Sequence, residues 1–216
     1  MVYDQTTHGF SGQLVTILEL ACKHAGCRIQ WQEMPFQRSL YRLQTGAVHL
    51  VPRLYHTTER EAYVHYIGPV ALENEPIFFI THKQVPLDTE QQLLSGTLGV
   101  KLGSYYSPFI NHDPRLKKYP AADDINLAKM FIAGRFDYIA VLDKESIDAA
   151  FHQLGFSDYV YGGLTYDHNF PVYYGFSRHS SHGEFVGKLQ RAIDRMIVSG
   201  EIHSLLPVGM YPPLDE

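Results

Sequence analysis

Apolar and polar positions along the chain follow two spacings, and the switches between them set the order of elements. Apolar residues three and four apart mark helices, while short runs rich in β-branched and aromatic residues mark strands. Leu14, Ile17, Leu18 and Ala21 recur at helical spacing, which predicts a helix over 12–24 with Ser11 as its cap and Gly26 as its stop. A strand over 28–34 follows, carried by Ile29, Trp31 and Glu33. Pro35 opens a second helix through residue 45, closed by Gly46. Residues 48–54 are apolar enough to end a buried strand. His56-Thr57-Thr58 breaks that run, and Thr57 or Thr58 is placed to cap a short helical turn begun by Glu59-Arg60-Glu61. Strands over 63–67, ending at Gly68-Pro69, and over 77–82 complete this half.

From residue 84 the pattern turns polar around Pro86, which puts a crossing between two lobes near residues 81–86. The alternation then resumes. It predicts a strand over 94–100, a turn at Gly103-Ser104, a loop over 113–120, a helix over 125–133 and a strand over 138–142. A helix over 144–154, a short strand over 159–161 and a loop over 162–170 follow. Residues 171–177 read as the returning strand, 182–199 as a long amphipathic helix and 201–206 as a short last helix. Strands alternating with helices imply an α/β protein whose lobes are mostly parallel sheets flanked by helices. The final helix has no lobe of its own. Residues 83–172 therefore read as a second lobe inserted into a discontinuous first lobe, 1–82 with 173–216, and two hinge strands join them.

Composition narrows the functions open to this fold. Eighteen Lys and Arg against 23 Asp and Glu form no basic stripe, which argues against nucleic acid as a partner. No run of about 18 apolar residues is present to insert in a membrane, and the first ten residues lack the basic and apolar regions of a secretory signal. Fifteen Tyr and twelve Phe suit the walls of a ligand cleft. Cys22 and Cys27 pair if the compartment oxidises them; their places in the pattern favour a buried helix residue and the start of a strand, without a bond.

The chemistry centres on Arg60. A strand that stops at a polar turn presents its side chains at the carboxyl edge of a sheet, where open α/β sheets bind small ligands. A guanidinium there can grip a carboxylate with two parallel hydrogen bonds. The plainer reading is a surface arginine paired with Glu59 or Glu61. Thr57-x-x-Arg60 followed by an apolar segment and Gly68-Pro69 resembles the signature of the family 3 extracellular solute-binding proteins. Two more blocks, Phe36-x-Arg38 with Leu43 and Gly46, and Gly134-Arg135-Phe136-Asp137, are similar to that family's helix and second-lobe strand.

The resemblance implies the type II periplasmic-binding-protein fold and a polar amino-acid-binding-like role. It implies a small-molecule ligand, the permease of an ABC importer as partner, a periplasmic location and no cofactor. By the family pattern, backbone groups at Leu54-Tyr55 and Ser104-Tyr105 join Arg60 on the ligand carboxylate. Asp143 accepts its ammonium, or caps the helix that starts at Lys144. Phe36 and Tyr3 pack on its body, or Phe36 packs in the core. Arg38 is a ligand group or pairs with Glu33. The family normally opens with a secretory signal and a first strand, so the resemblance also implies a natural start upstream of Met1 and a first lobe short of one strand.

This sequence departs from the pattern in three places. Arg53 and Tyr55 stand where small residues usually precede the turn, His49 replaces an aspartate, and Asp143 lies one residue farther from Gly134. Those changes suit a smaller or more acidic ligand. A sensing input domain and a cyclohexadienyl-dehydratase-like enzyme are the other uses this fold resembles. For the enzyme, Glu59, Glu61, Glu73 and Glu75 offer carboxylates without a defined pair, and read as solvated turn residues. His179-x-x-His182 is a short histidine pair with no Cys or carboxylate support for a metal.

Overall fold

The structure is a computed structural model, and it describes the backbone of residues 3–4 and 9–10 and all of 12–207 and 210–212. The chain divides into two units. The first comprises Met1–Met34, Arg38–Asn74 and Asn169–Glu216; the second comprises Pro35–Gln37 and Glu75–His168.

The first unit begins with a two-residue pairing of β1 (Tyr3–Asp4) and β2 (Gly9–Phe10). Helix α1 (Gln13–Ala25) buries Val15, Ile17, Leu18, Ala21 and Cys22, the face set by the helical spacing. It ends at Gly26 in the left-handed region, φ 74°, where a side chain would be strained. The Gly26 amide donates to the Lys23 carbonyl and the Cys27 amide to the Cys22 carbonyl, a Schellman ending. That motif brings the residue after the glycine against the helix residue five before it. Cys22 and Cys27 occupy those two places, and they form a disulfide. The expected unbonded pair is thus corrected, and the reason is local geometry.

Helix α2 (Phe36–Gln44), β3 (Leu50–Tyr55), the single-turn α3 (Thr58–Glu61) and β4 (Val64–Glu73) follow. Residues 28–34 form no strand; none of the described strands pairs with them. Strand β4 runs through Gly68-Pro69 instead of stopping there, because it pairs with β10 on both sides of that step; Gln190 meets the amide and the carbonyl of Gly68.

The second unit holds β5 (Ile77–Thr81), α4 (Glu90–Ser95), β6 (Thr97–Lys101), α5 (Pro108–His112), β7 (Lys117–Ala121), α6 (Asp124–Ile132), β8 (Tyr138–Val141), α7 (Lys144–Gln153) and β9 (Val160–Tyr166). Its five strands lie in the order β7-β6-β8-β5-β9. Strand β6 runs parallel to β7 and β8, while β5 runs antiparallel to β8 and β9. Alternate residues of β5 feed two cores. Ile77 and Phe79 pack with Leu93, Leu98 and Ile110; Ile80 packs with Leu127, Phe131 and Phe151. A strand buried on both faces reads as a continuous apolar run, which is what residues 77–80 show. Because β5 pairs with β8 and β9, the chain enters the second unit at residue 75, earlier than the expected crossing at 81–86.

The chain returns through β10 (Phe170–Ser177), α8 (Glu184–Val198) and α9 (Glu201–Leu205). Strand β10 lies between β3 and β4 and is antiparallel to both. The described sheet of the first unit is therefore antiparallel, not mostly parallel as the element order suggests. One face is covered by α1 and α8, whose Leu189, Ala192, Ile193 and Met196 are buried. Gly175 of β10 sits so close to Leu54 that a Cβ would collide with that side chain. The pairing of β10 with β3 shifts register between Tyr173 and Gly175.

Candidate functional site

In the first unit the expected residues gather at the end of β3. Arg53 adopts φ 58°, a left-handed conformation uncommon for a residue with a side chain. The irregularity lies opposite the shifted register of β10, and such bulges re-aim side chains. Arg53 reaches Glu73 on β4, with Nε 2.7 Å from Oε1 and Nη2 3.3 Å from Oε2. Tyr55 donates its hydroxyl to the same Glu73 carboxylate. Its ring packs against Phe170 at 5.6 Å. Burial, and after it the Glu73 charge, push the Tyr55 phenol well up from its ordinary value.

Arg60 is buried, only 8 % exposed, and its Nη1 donates to the Tyr55 carbonyl at 3.0 Å. Glu61, expected as a surface partner for Arg60, instead meets His56 at 2.9 Å. Thr57 stands at the N-cap of α3, but its side chain makes no capping bond. The Thr57 amide donates to the Tyr66 hydroxyl at 3.2 Å. The rings of His56, Tyr66 and Tyr173 cluster beside this turn, with centroids 4.5, 5.4 and 6.3 Å apart.

Glu73 is the residue that sequence reasoning misplaced. It is buried on β4, not a solvated turn group. Its signal lay in strand alternation, since it falls two residues after the buried Ala71 and shares its side of the strand. The charge of Arg53, one of the departures from the family pattern, is met by Glu73.

In the second unit, Ser104, Tyr105 and Asp143 all follow the carboxyl ends of the parallel strands β6 and β8. The Ser104 amide donates to the Lys101 carbonyl at 3.1 Å, and its own carbonyl accepts from Asn111 at 3.3 Å. Tyr105 is half-buried, its ring 6.4 Å from that of His112. Asp143 caps α7: one oxygen accepts from the Ser146 amide at 3.1 Å, the other from the Ser146 hydroxyl at 2.9 Å. The same edge holds Lys101 and Asp124, paired at 2.6 Å, which line a small recess with Asp143 and Tyr106. Neither was singled out in the sequence; they come together only when β6 and α6 meet. Lys144 stands 3.4 Å above the Phe78 ring, a cation–π contact.

The remaining expected residues lie elsewhere. Phe36, half-buried, is the first residue of α2. Arg38 is exposed, and among the described residues it forms no ion pair with Glu33 or any other group. Tyr3 lies in β1, but its side chain is outside the described residues. Among the described residues no three His, Cys, Asp or Glu groups are placed to hold a metal. None of the described helices is long and apolar enough to cross a membrane.

The fold recurs in solved proteins. The substrate-binding protein of an amino acid ABC transporter superposes with a TM-score of 0.73 at 17 % identity, over 94 % of this chain and 89 % of that one. A periplasmic binding protein of Salmonella typhimurium described for high arginine specificity gives 0.73 at 14 % identity, over 94 % and 89 %. A histidine kinase sensor domain with similarity to periplasmic binding proteins gives 0.76 at 11 % identity, over 97 % and 91 %. At such identities the likeness is one of fold. No curated protein matches the sequence. The family profile of the bacterial extracellular solute-binding proteins, family 3, matches residues 1–206, nearly the whole chain, and the protein belongs to that family.

Proposed function

We propose that this solute-binding protein takes a small polar ligand bearing a carboxylate, an amino acid or a close relative, and that Arg60 grips the carboxylate. The observation that carries this reading is the burial of Arg60 in the turn after β3, with one terminal nitrogen committed to the Tyr55 carbonyl. A guanidinium placed so deep carries a desolvation cost that an anion offsets. Within the second unit, Ser104, Tyr105 and Asp143 are the proposed ligand groups, Asp143 as acceptor for a ligand ammonium. Charge-assisted bonds of this kind contribute roughly 1.5–3 kcal/mol each, so several must converge to reach the roughly 8 kcal/mol of a micromolar ligand. Phe36 and Tyr3 are assigned to the ligand body and Arg38 to its rim. The chain works outside the cytoplasm and delivers its ligand to the permease of an ABC importer; a structural neighbour described as the substrate-binding protein of an amino acid ABC transporter supports this reading.

A second reading has a specific basis: the sensor domain of a histidine kinase superposes on 97 % of this chain. In that use, ligand binding would signal instead of feeding a permease. Stimulated ATP hydrolysis by a co-encoded importer in proteoliposomes supports delivery; kinase output from a fused receptor supports sensing. Conversion of cyclic acids on incubation would move the reading to an enzyme.

A thermal-shift screen of amino acids and organic acids identifies the ligand, since a ligand at 100 times its Kd adds about 2.7 kcal/mol of stability. Calorimetry with that ligand then tests the clamp. Arg60→Ala is expected to weaken binding by about tenfold or more while the protein stays folded. Unchanged affinity removes Arg60 from the site.

A further inference from the structure

We infer that Glu73 is a positioning residue for Arg60, anchoring Tyr55 by its ring while Arg60 engages Tyr55 by its backbone, so that the guanidinium is aimed before a ligand arrives. The inference rests on the reading of Arg60 as the carboxylate clamp.

The end of β3 needs such an anchor. Its ladder to β10 is interrupted between Tyr173 and Gly175, and Arg53 stands in a left-handed conformation. The helix that follows, α3, has four residues and no side-chain cap, so it cannot fix its own start. Stiffness must come from elsewhere in the unit. Strand β4 supplies it: Glu73 pairs in register with Phe170 of β10, and the adjacent Leu72 amide donates to the Met210 carbonyl.

From that fixed point a chain of bonds runs to Arg60. Glu73 accepts the Arg53 fork and the Tyr55 hydroxyl. Tyr55, buried and packed on Phe170, then offers its carbonyl to Arg60 Nη1 at 3.0 Å. The Glu73 side chain is 11 % exposed against 31 % for Arg53, so the carboxylate is the more committed member of the pair. A buried carboxylate with three donors is well satisfied, and it leaves the phenol little freedom. Tyr66 steadies the same turn from the other side, through Thr57.

The test reads Arg60 directly, in ligand-free protein labelled with 15N-arginine. Its side-chain signals are assigned by their loss in Arg60→Lys. Glu73→Gln and Tyr55→Phe are each expected to speed rotation of the Arg60 guanidinium about fivefold to tenfold, the scale of one lost hydrogen bond. Glu73→Asp is expected to restore part of the slow rotation. The double variant should show no more than either single one, since both cut the same link. Tyr55→Phe keeps the Arg53–Glu73 pair, so it serves if Glu73→Gln does not fold. Unchanged Arg60 rotation in a folded Tyr55→Phe protein overturns the inference. Because no ligand is present, that failure is distinct from a failure of Arg60 to bind carboxylates, which calorimetry reads.

Discussion

Strands β3 and β8 both end on a polar turn that leads into a helix, and the two turns are stabilised in opposite ways. After β8, Asp143 caps the ten-residue α7 through Ser146, three residues away. After β3, the four-residue α3 has no side-chain cap, and long side chains from other strands do the work: Glu73 and Tyr66 reach in, and Arg60 reaches back. The first turn is self-sufficient. The second depends on a buried ionic cluster assembled from residues far apart in the chain. A turn that cannot stand alone can place a charge where a local motif would not, at the cost of stability tied to single residues.

The largest effect expected from this contrast is in the first unit. Glu73→Ala strips the acceptor from a partly buried Arg53 and a buried phenol, and is expected to cost about 3 kcal/mol by urea denaturation. In the second unit, Asp124→Ala breaks the Lys101 pair, whose side chains are each 24 % exposed, and is expected to cost no more than about 1 kcal/mol. Equal losses for the two would erase the distinction.

Asp143 sharpens the comparison from the other side. Asp143→Ala is expected to lower stability by about 1 kcal/mol through the lost cap, while Asp143→Asn, an equally good cap, leaves it nearly unchanged. If Asp143 also meets a ligand ammonium, Asp143→Asn weakens ligand binding all the same, so the two variants separate capping from binding. A stability loss in Asp143→Asn equal to that in Asp143→Ala would count against the capping account.

The smallest effect is a titration. Tyr159 and Tyr161 both donate to Asp148 at 2.8 Å, the second unit's own polar link between helix and strand. Burial, then the bond to Asp148, pushes the Tyr159 phenol up from 10.0 to about 12. A phenol whose folded value is raised favours the folded state while it stays protonated. Its contribution is complete below pH 10 and is lost as pH climbs from 10 to about 12. Absorbance at the phenolate band is expected to show Asp148→Asn ionising at lower pH than the parent.

The same division between local and distant partners explains what the sequence disclosed. Helices α1, α6, α7 and α8 fall within a residue or two of their expected limits, because apolar spacing and caps are written in neighbouring residues. Helix α4 was readable but missed: Thr89 and Gln92 form a capping box at its start. Strand β7 was not readable, since Lys117-Lys118-Tyr119 is mostly exposed and becomes a strand only by pairing with β6. The disulfide was hidden for a different reason. It needed the Gly26 ending to be recognised as one that folds Cys27 back on Cys22. At the site, the motif around Arg60 located the turn, but Glu73 lies 18 residues from Tyr55 and no local pattern joins them.

The placement of β10 between β3 and β4 has a consequence for biosynthesis. Those two strands do not pair with each other, so the three-stranded sheet of the first unit cannot form until its middle member emerges from the ribosome. All of Glu75–His168 is made before that, and it contains every strand of the five-stranded sheet. At about 5–20 residues per second, roughly 5–20 s pass while Glu75–His168 is made, and through that time β3 and β4 wait without their middle strand. The usual order of completion, amino-terminal part first, is reversed here by topology alone.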